Sequence, residues 1–196
     1  MKSMWITVLL GAVLFGSGCR DKTPKIELSP NKYAVSAMIL ELSGKSRETL
    51  EADTSEENVN KLAGRKSSRV ARIPTLYLKE GESKEFDNRI SHPFLIVPPA
   101  NDAPGQYGSI TDGEYLKVTL TVMPSGNACL GLIVNSPNLI GWQEMKGPGN
   151  HTLKQPIRSF LNVHTTISPP WGKWRIAGTN RDRVMLVRAD LPTMPM

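Results

Sequence analysis

Between Tyr115 and Val122 the chain alternates without a break: Leu116, Val118, Leu120 and Val122 are apolar, and Lys117, Thr119 and Thr121 between them are polar. Side chains of a strand point to opposite faces in turn, so this pattern is satisfied only by a β-strand with one face buried and the other wet. Pro124-Ser125-Gly126-Asn127 then supplies turn chemistry, and residues 129–134 are apolar enough to pair back as the second strand. A hairpin at the centre of the sequence commits the chain to an antiparallel sheet with a face that must be covered.

Other segments supply the cover. In residues 33–42, Tyr33, Val35, Ala37 and Ile39 share one face and Met38, Leu40 and Leu42 the other, the signature of a strand buried on both sides. Leu76 and Leu78 alternate with polar neighbours, Glu80-Gly81 turns the chain, and residues 83–86 are expected to return as a hairpin. Residues 93–104 read as a proline-broken connection and residues 135–150, rich in Gly, Pro and Asn, as a long loop. Three further strands are expected at 158–167, 174–177 and 184–189. A single helix is indicated, with Thr54 and Glu57 as a capping box, Val59 and Leu62 on one face and Gly64 at the C-terminal end. The fold class is α+β to mainly β: an antiparallel sheet or sandwich of about seven short strands with one short helix.

A length of 196 residues fits one domain, and 39% hydrophobic with 21% charged residues excludes a disordered or multi-pass membrane chain. Two cysteines exclude a disulfide-rich scaffold, and histidines at 92, 151 and 164 lack metal-ligand spacing, so no metal and no cofactor is expected.

Residues 1–18 form a secretory signal: Lys2, then an apolar run over 5–15 too short for a membrane-spanning helix, then Gly16-Ser17-Gly18. Ser17-Gly18-Cys19 resembles the bacterial lipobox, although Gly16 stands where that motif usually has Leu. The resemblance implies a diacylated Cys19 as the first mature residue and a membrane as partner. Residues 19–32, with Pro24 and Pro30, then form a tether, 33–191 the domain and 192–196 a tail. Cys129 is left without a partner and is expected as a small buried hydrophobe.

Several spacings, in order, resemble the C-terminal homology domain of the secretins, the outer-membrane channels of type II and III secretion and type IV pili. The apolar stretch at 37–42 containing Glu41 precedes Pro74-x₆-Gly81; Gly113-x-x-Leu116-x-Val118 follows; then Thr166-x₅-Gly172-x₅-Gly178 and the aliphatic run 184–187. Leu120 replaces the family's proline and Thr179 its second glycine. Secretins carry a long insertion before the last strand, whereas five residues separate Gly178 from Val184 here, and the family's upstream ring-forming domains are expected to be missing, since Tyr33 starts soon after the signal. The resemblance implies a truncated secretin-like β-domain in the bacterial cell envelope, on the periplasmic face of the outer rather than the inner membrane. Its expected role is structural: assembly with envelope protein partners and no pore, because no pair of strands is left over to build a barrel wall.

No nucleophile elbow, phosphate-binding loop or dinucleotide fingerprint is present, so no catalytic residue is assigned and no enzyme is expected. Trp174 reads as a core anchor, while Trp142 and Trp171 stand in turn or loop sequence and are candidates either for packing or for binding. Arg65, Lys66, Arg69 and Arg72 form the strongest basic segment and suit an acidic partner or anionic headgroups; without interleaved aromatics they do not indicate nucleic acid. The alternative function is an exported β-sandwich binding module that stacks carbohydrate on Trp142 and Trp171.

Overall fold

The computed structural model describes residues 32–97, 105–146 and 152–192. The signal, Cys19, most of the tether, His151 and most of the 192–196 tail lie outside them.

The central hairpin forms as the alternation requires. In β6 (Tyr115–Val122) Leu116, Val118 and Leu120 are fully buried, and β6 pairs with β7 (Ala128–Lys146) from Val122↔Ala128 to Tyr115↔Asn135. Gly126 turns the chain at φ 81°, a conformation only glycine adopts without strain, and Met123 N–H donates to the Asn127 carbonyl at 2.9 Å. With β3 (Ser83–Asp87) and β8 (Thr152–Ile167) this hairpin makes one sheet, in the order β3-β6-β7-β8.

A second sheet has the order β2-β1-β10-β9, from β1 (Tyr33–Glu41), β2 (Arg69–Leu78), β9 (Arg175–Asn180) and β10 (Arg183–Asp190). Its central strands are covered on both faces, as the apolar pattern of residues 33–42 demands. Val35, Ala37 and Ile39 of β1, with Met185 and Val187 of β10, meet the first sheet in one core. Met38, Leu40, Leu42, Val184 and Leu186 form another core beneath two helices, α1 (Gly44–Ala52) and α2 (Glu56–Ala63). Trp174 belongs to this second core at 6% exposure. The domain is therefore three layers: helices, sheet, sheet.

Several expectations need correction. There are two helices among the described residues, not one: α1 buries only Leu50 and lacks a side-chain cap, so no apolar stripe marks it. The cap of α2 is Ser55, whose Oγ accepts from Asn58 N–H at 3.3 Å, one residue later than the Thr54–Glu57 box; Gly64 closes the helix at an ordinary φ of −84°. Residues 83–86 do not return as a hairpin on β2. Gly81 N–H donates to the Leu120 carbonyl at 2.8 Å and Leu120 N–H to the Glu82 carbonyl at 3.2 Å, which draws β3 across to β6 in the other sheet. Gly81 (φ 77°) and Gly172 (φ 72°) both turn the chain between sheets. Cys129 is half-buried rather than buried, because it alternates with Leu130 onto the outer face of its sheet.

The largest correction concerns the two expected loops. β4 (Ile90–Val97) and β5 (Gln106–Asp112) pair as a two-stranded sheet in which Pro93 sits opposite Ser109. β7 runs on through Pro137 to Lys146, paired with β8 down to Lys146↔Thr152. Pro137 is tolerated for a geometric reason. A strand residue's N–H and C=O point to the same side, and the Pro137 carbonyl accepts from Gly113 N–H (3.3 Å) on the side where the β6 ladder has ended. The missing N–H therefore removes no bond to β8.

Candidate functional site

Beyond Pro137 on β7 and Leu161 on β8 the two strands pair in a ladder only with each other, and no further residue of either is buried. With the β4–β5 pair they form a double-hairpin arm. Large exposed apolar side chains gather on the arm: Ile90, Leu95, Ile96, Tyr107, Ile140, Trp142, Met145, Ile157 and Phe160, leaving only Met123, Ile133 and Leu191 elsewhere among the described residues. A register shift between Leu139 and Gly141 inserts Ile140 as an extra residue, and it stands 57% exposed.

The two hairpins meet at aromatic and aliphatic groups. Phe94 lies edge-on to Trp142 with ring centroids 5.8 Å apart. Around them run adjoining grooves of about 330 and 420 Å³, lined chiefly by Phe94, Leu95, Met145, Leu153 and Pro156 with the cations Lys154 and Arg158. Glu144 stands opposite Lys154 in the ladder, and the Arg158 guanidinium lies 5.3 Å from the Phe160 ring centre. At the other end of the β3–β4 junction, Asp87 accepts two hydrogen bonds from the Arg89 side chain, at 2.8 and 2.6 Å, which hold its carboxyl down at about 2.

The tryptophans do not form one site. Trp171 stacks on Tyr33 (5.3 Å, 17° between planes) and its Nε1 donates to the Gly126 carbonyl at 2.7 Å, fastening the β8–β9 connection to the β6–β7 turn. Trp142 lies on the arm, roughly 45 Å of extended strand from the start of β7 near that turn. The basic segment also disperses. Arg65 and Lys66 follow α2, Arg65 donating to Ser46 Oγ at 2.9 Å, while Arg69 and Arg72, three apart on β2, face opposite sides of the strand.

Residues that sequence reasoning missed lie at the arm's root and tip. Leu153 and Ile157 fall on one face of β8 upstream of the expected start at 158, but Gln155 and Pro156 break the apolar–polar alternation that would have marked the strand. Arg183 and Ser136, both buried polar residues that meet at the root, carried no signal at all.

The architecture is thus a β-sandwich body bearing a long, apolar arm whose edges are unpaired among the described residues. No protein-family model and no curated protein sequence matches the chain. In solved structures it is similar to the secretin domain β-barrel of InvG from the Salmonella SPI-1 injectisome NC-base, with TM-score 0.50 and 14% identity over 85% of this chain and 64% of that one. It is also similar, at TM-score 0.41 and 12% identity over 84% of this chain and 62% of the other, to the injectisome secretin InvG from Salmonella SPI-1. The fold is therefore secretin-like, and the chain spans less than two thirds of the length of these neighbours.

Proposed function

We propose that this chain is a structural, non-enzymatic module of the bacterial cell envelope, tied to a membrane through Cys19, whose arm is completed by lateral association with further copies of itself. The observation that carries this reading is the concentration of exposed apolar side chains on four strands with unpaired edges. Monomeric soluble proteins rarely leave such a patch uncovered, and an open strand edge is a template for another strand. The fold likeness to a domain described as a β-barrel supports the same reading. One chain is not itself a pore, since four strands do not close a barrel. The four strands of the arm supply the pairs that the sequence alone did not reveal, and the arm is one segment of a wall that several copies complete. Carbohydrate stacking on Trp142 and Trp171 finds no support, because one face of Trp171 is taken by Tyr33.

Native mass spectrometry of the full chain in detergent tests this directly. Assemblies of many copies are expected, and Trp142→Ser with Ile157→Ser should shift them to monomer while the body stays folded. A wild-type chain that remains monomeric at every concentration would overturn the reading. The anchor is tested separately: Cys19→Ser should release the protein from membranes, and an unacylated mature N-terminus elsewhere would remove that part.

A further inference from the structure

The arm is gripped at its root from two sides. On one, the turn joining β9 to β10 reaches both strands: Arg183 donates from Nη1 to the Ser136 carbonyl (2.6 Å) and from Nη2 to Ser136 Oγ (2.7 Å), and Asn180 Nδ2 donates to the Phe160 carbonyl on β8. On the other, the β5–β6 turn holds β7, with Leu139 N–H donating to Asp112 Oδ1 at 3.2 Å and Gly113 N–H to the Pro137 carbonyl. The first turn is itself anchored in the body. Leu42 N–H donates to the Asp182 carbonyl at 2.6 Å, and Arg47 of α1 reaches the Arg181 carbonyl and Thr179 Oγ1.

Arg183 is an expensive residue to place there. It is 4% exposed and has no ion-pair partner within 4.0 Å among the described residues. Burial pulls its guanidinium below the usual range, opposed only by the more distant carboxylates of Glu41, Glu114, Asp182 and Asp112. It lines a cavity of about 140 Å³ together with Glu41, Arg69, Glu114 and Asn138, enough for a few waters to serve its remaining donors. An aliphatic side chain would fill the space without the desolvation penalty of a buried cation. What an aliphatic group cannot supply is a rigid two-pronged donor aimed at one residue of β7.

We infer that the β9–β10 turn is a clasp that sets the angle of the arm, with Arg183 as the positioning residue and Asn180 as its second contact. This inference rests on the assembly reading above. Ten residues of β7 extend past Ser136, about 33 Å of strand, so a swing of about 10° at the root displaces the tip by about 6 Å, more than one strand spacing. Neighbouring arms can pair in register only if that swing is suppressed. The short turn between Gly178 and Val184, too short to insert into a membrane, is thereby given a task at the arm's root.

Hydrogen exchange and native mass on the full chain in detergent test the clasp, using Arg183→Met, Asn180→Ala and Ser136→Ala, with Arg183→Lys as the conservative variant. In Arg183→Met, amides of 138–146 should exchange about tenfold faster while those of 128–134 and 184–188 stay within about twofold. Asn180→Ala, an exposed site at no risk of misfolding, should show the same pattern more weakly, and Arg183→Lys should recover part of the protection. Assembly should fall in the same order. Unchanged arm exchange in Arg183→Met and Asn180→Ala, or equal acceleration of arm and body, overturns the clasp. If Arg183→Met fails to fold, Asn180→Ala and Ser136→Ala decide. A wild type that never assembles, with variants whose arms still loosen, overturns the assembly reading and leaves the clasp standing. Variants that assemble normally with unchanged exchange do the reverse.

Discussion

Two halves of one strand behave in opposite ways. From Ala128 to Ser136, β7 places Leu130, Leu132 and Val134 in the core at 2% exposure or less; from Ile140 to Met145, equally apolar residues stand 42–57% exposed. Composition does not separate them. The first half has a second sheet facing it, at the separation that lets two inner faces interdigitate. The second half has only the β4–β5 pair beside it, touching through Phe94 and Trp142. The difference teaches that apolar alternation specifies a face to be covered and not what covers it.

Truncation in each half gives the strongest contrast. Leu120→Ala removes a fully buried side chain in the body and should cost about 2–5 kcal/mol in urea unfolding. Ile157→Ala on the arm, 44% exposed, should stay within about 0.5 kcal/mol while weakening self-association. Equal losses of stability at both would erase the distinction between body and arm.

The body can also be broken by adding atoms. A Cβ on Gly178 would lie 2.4 Å from Val163 Cγ2, so this glycine is required by the close approach of β9 to β8. Gly178→Val should cost about 1–3 kcal/mol through overpacking, and Val163→Ala in the same chain should recover part of it. A double-mutant cycle with no coupling would show that the two strands relax apart.

Turns between the sheets come next. Gly81 has open space around it but a φ of 77°, so Gly81→Val should lose roughly 1–2 kcal/mol from backbone strain alone, and Gly172→Val a similar amount. Gly141→Val on the arm, with open space and no left-handed backbone, should cost nothing measurable by thermal melting. A penalty at Gly141 as large as at Gly81 would mean that the arm is as constrained as the body.

The smallest effect is electrostatic. Hydrogen bonds from Arg89 depress the Asp87 carboxyl from its ordinary 3.8 to about 2. Its folded-state value lies below the unfolded one, so its contribution is present above about 3.8 and is lost as pH falls through about 2. The site is exposed and solvent screening keeps that contribution small. An NMR titration should place the Asp87 midpoint near 2 in the wild type and move it upward in Arg89→Ala; an unmoved midpoint would separate the carboxyl from its partner.

Much of the body was legible in the residues. The two faces of β1, the β6–β7 hairpin with its Gly126 turn and the burial of Trp174 all follow from patterns within a few residues, because alternation and turn chemistry are local. The arm was not legible for the complementary reason. Gly, Pro and Asn between 135 and 150 signal a loop unless a partner strand lies alongside, and β8 is a partner whose pairing is set by the long ladder itself.

By itself the sequence determined that this protein is an antiparallel β-structure with one strand covered on both faces, since strand periodicity and apolar burial act wherever the strand is placed. Only the tertiary structure decided that β3 crosses to the other sheet, that two proline-bearing segments are strands, and that Arg183 and Ser136, 47 residues apart, meet at the root of the arm. Those outcomes depend on which backbone groups find partners across the fold. A buried guanidinium between two sheets is stable only where a distant carbonyl and hydroxyl happen to converge, and no local pattern encodes that convergence.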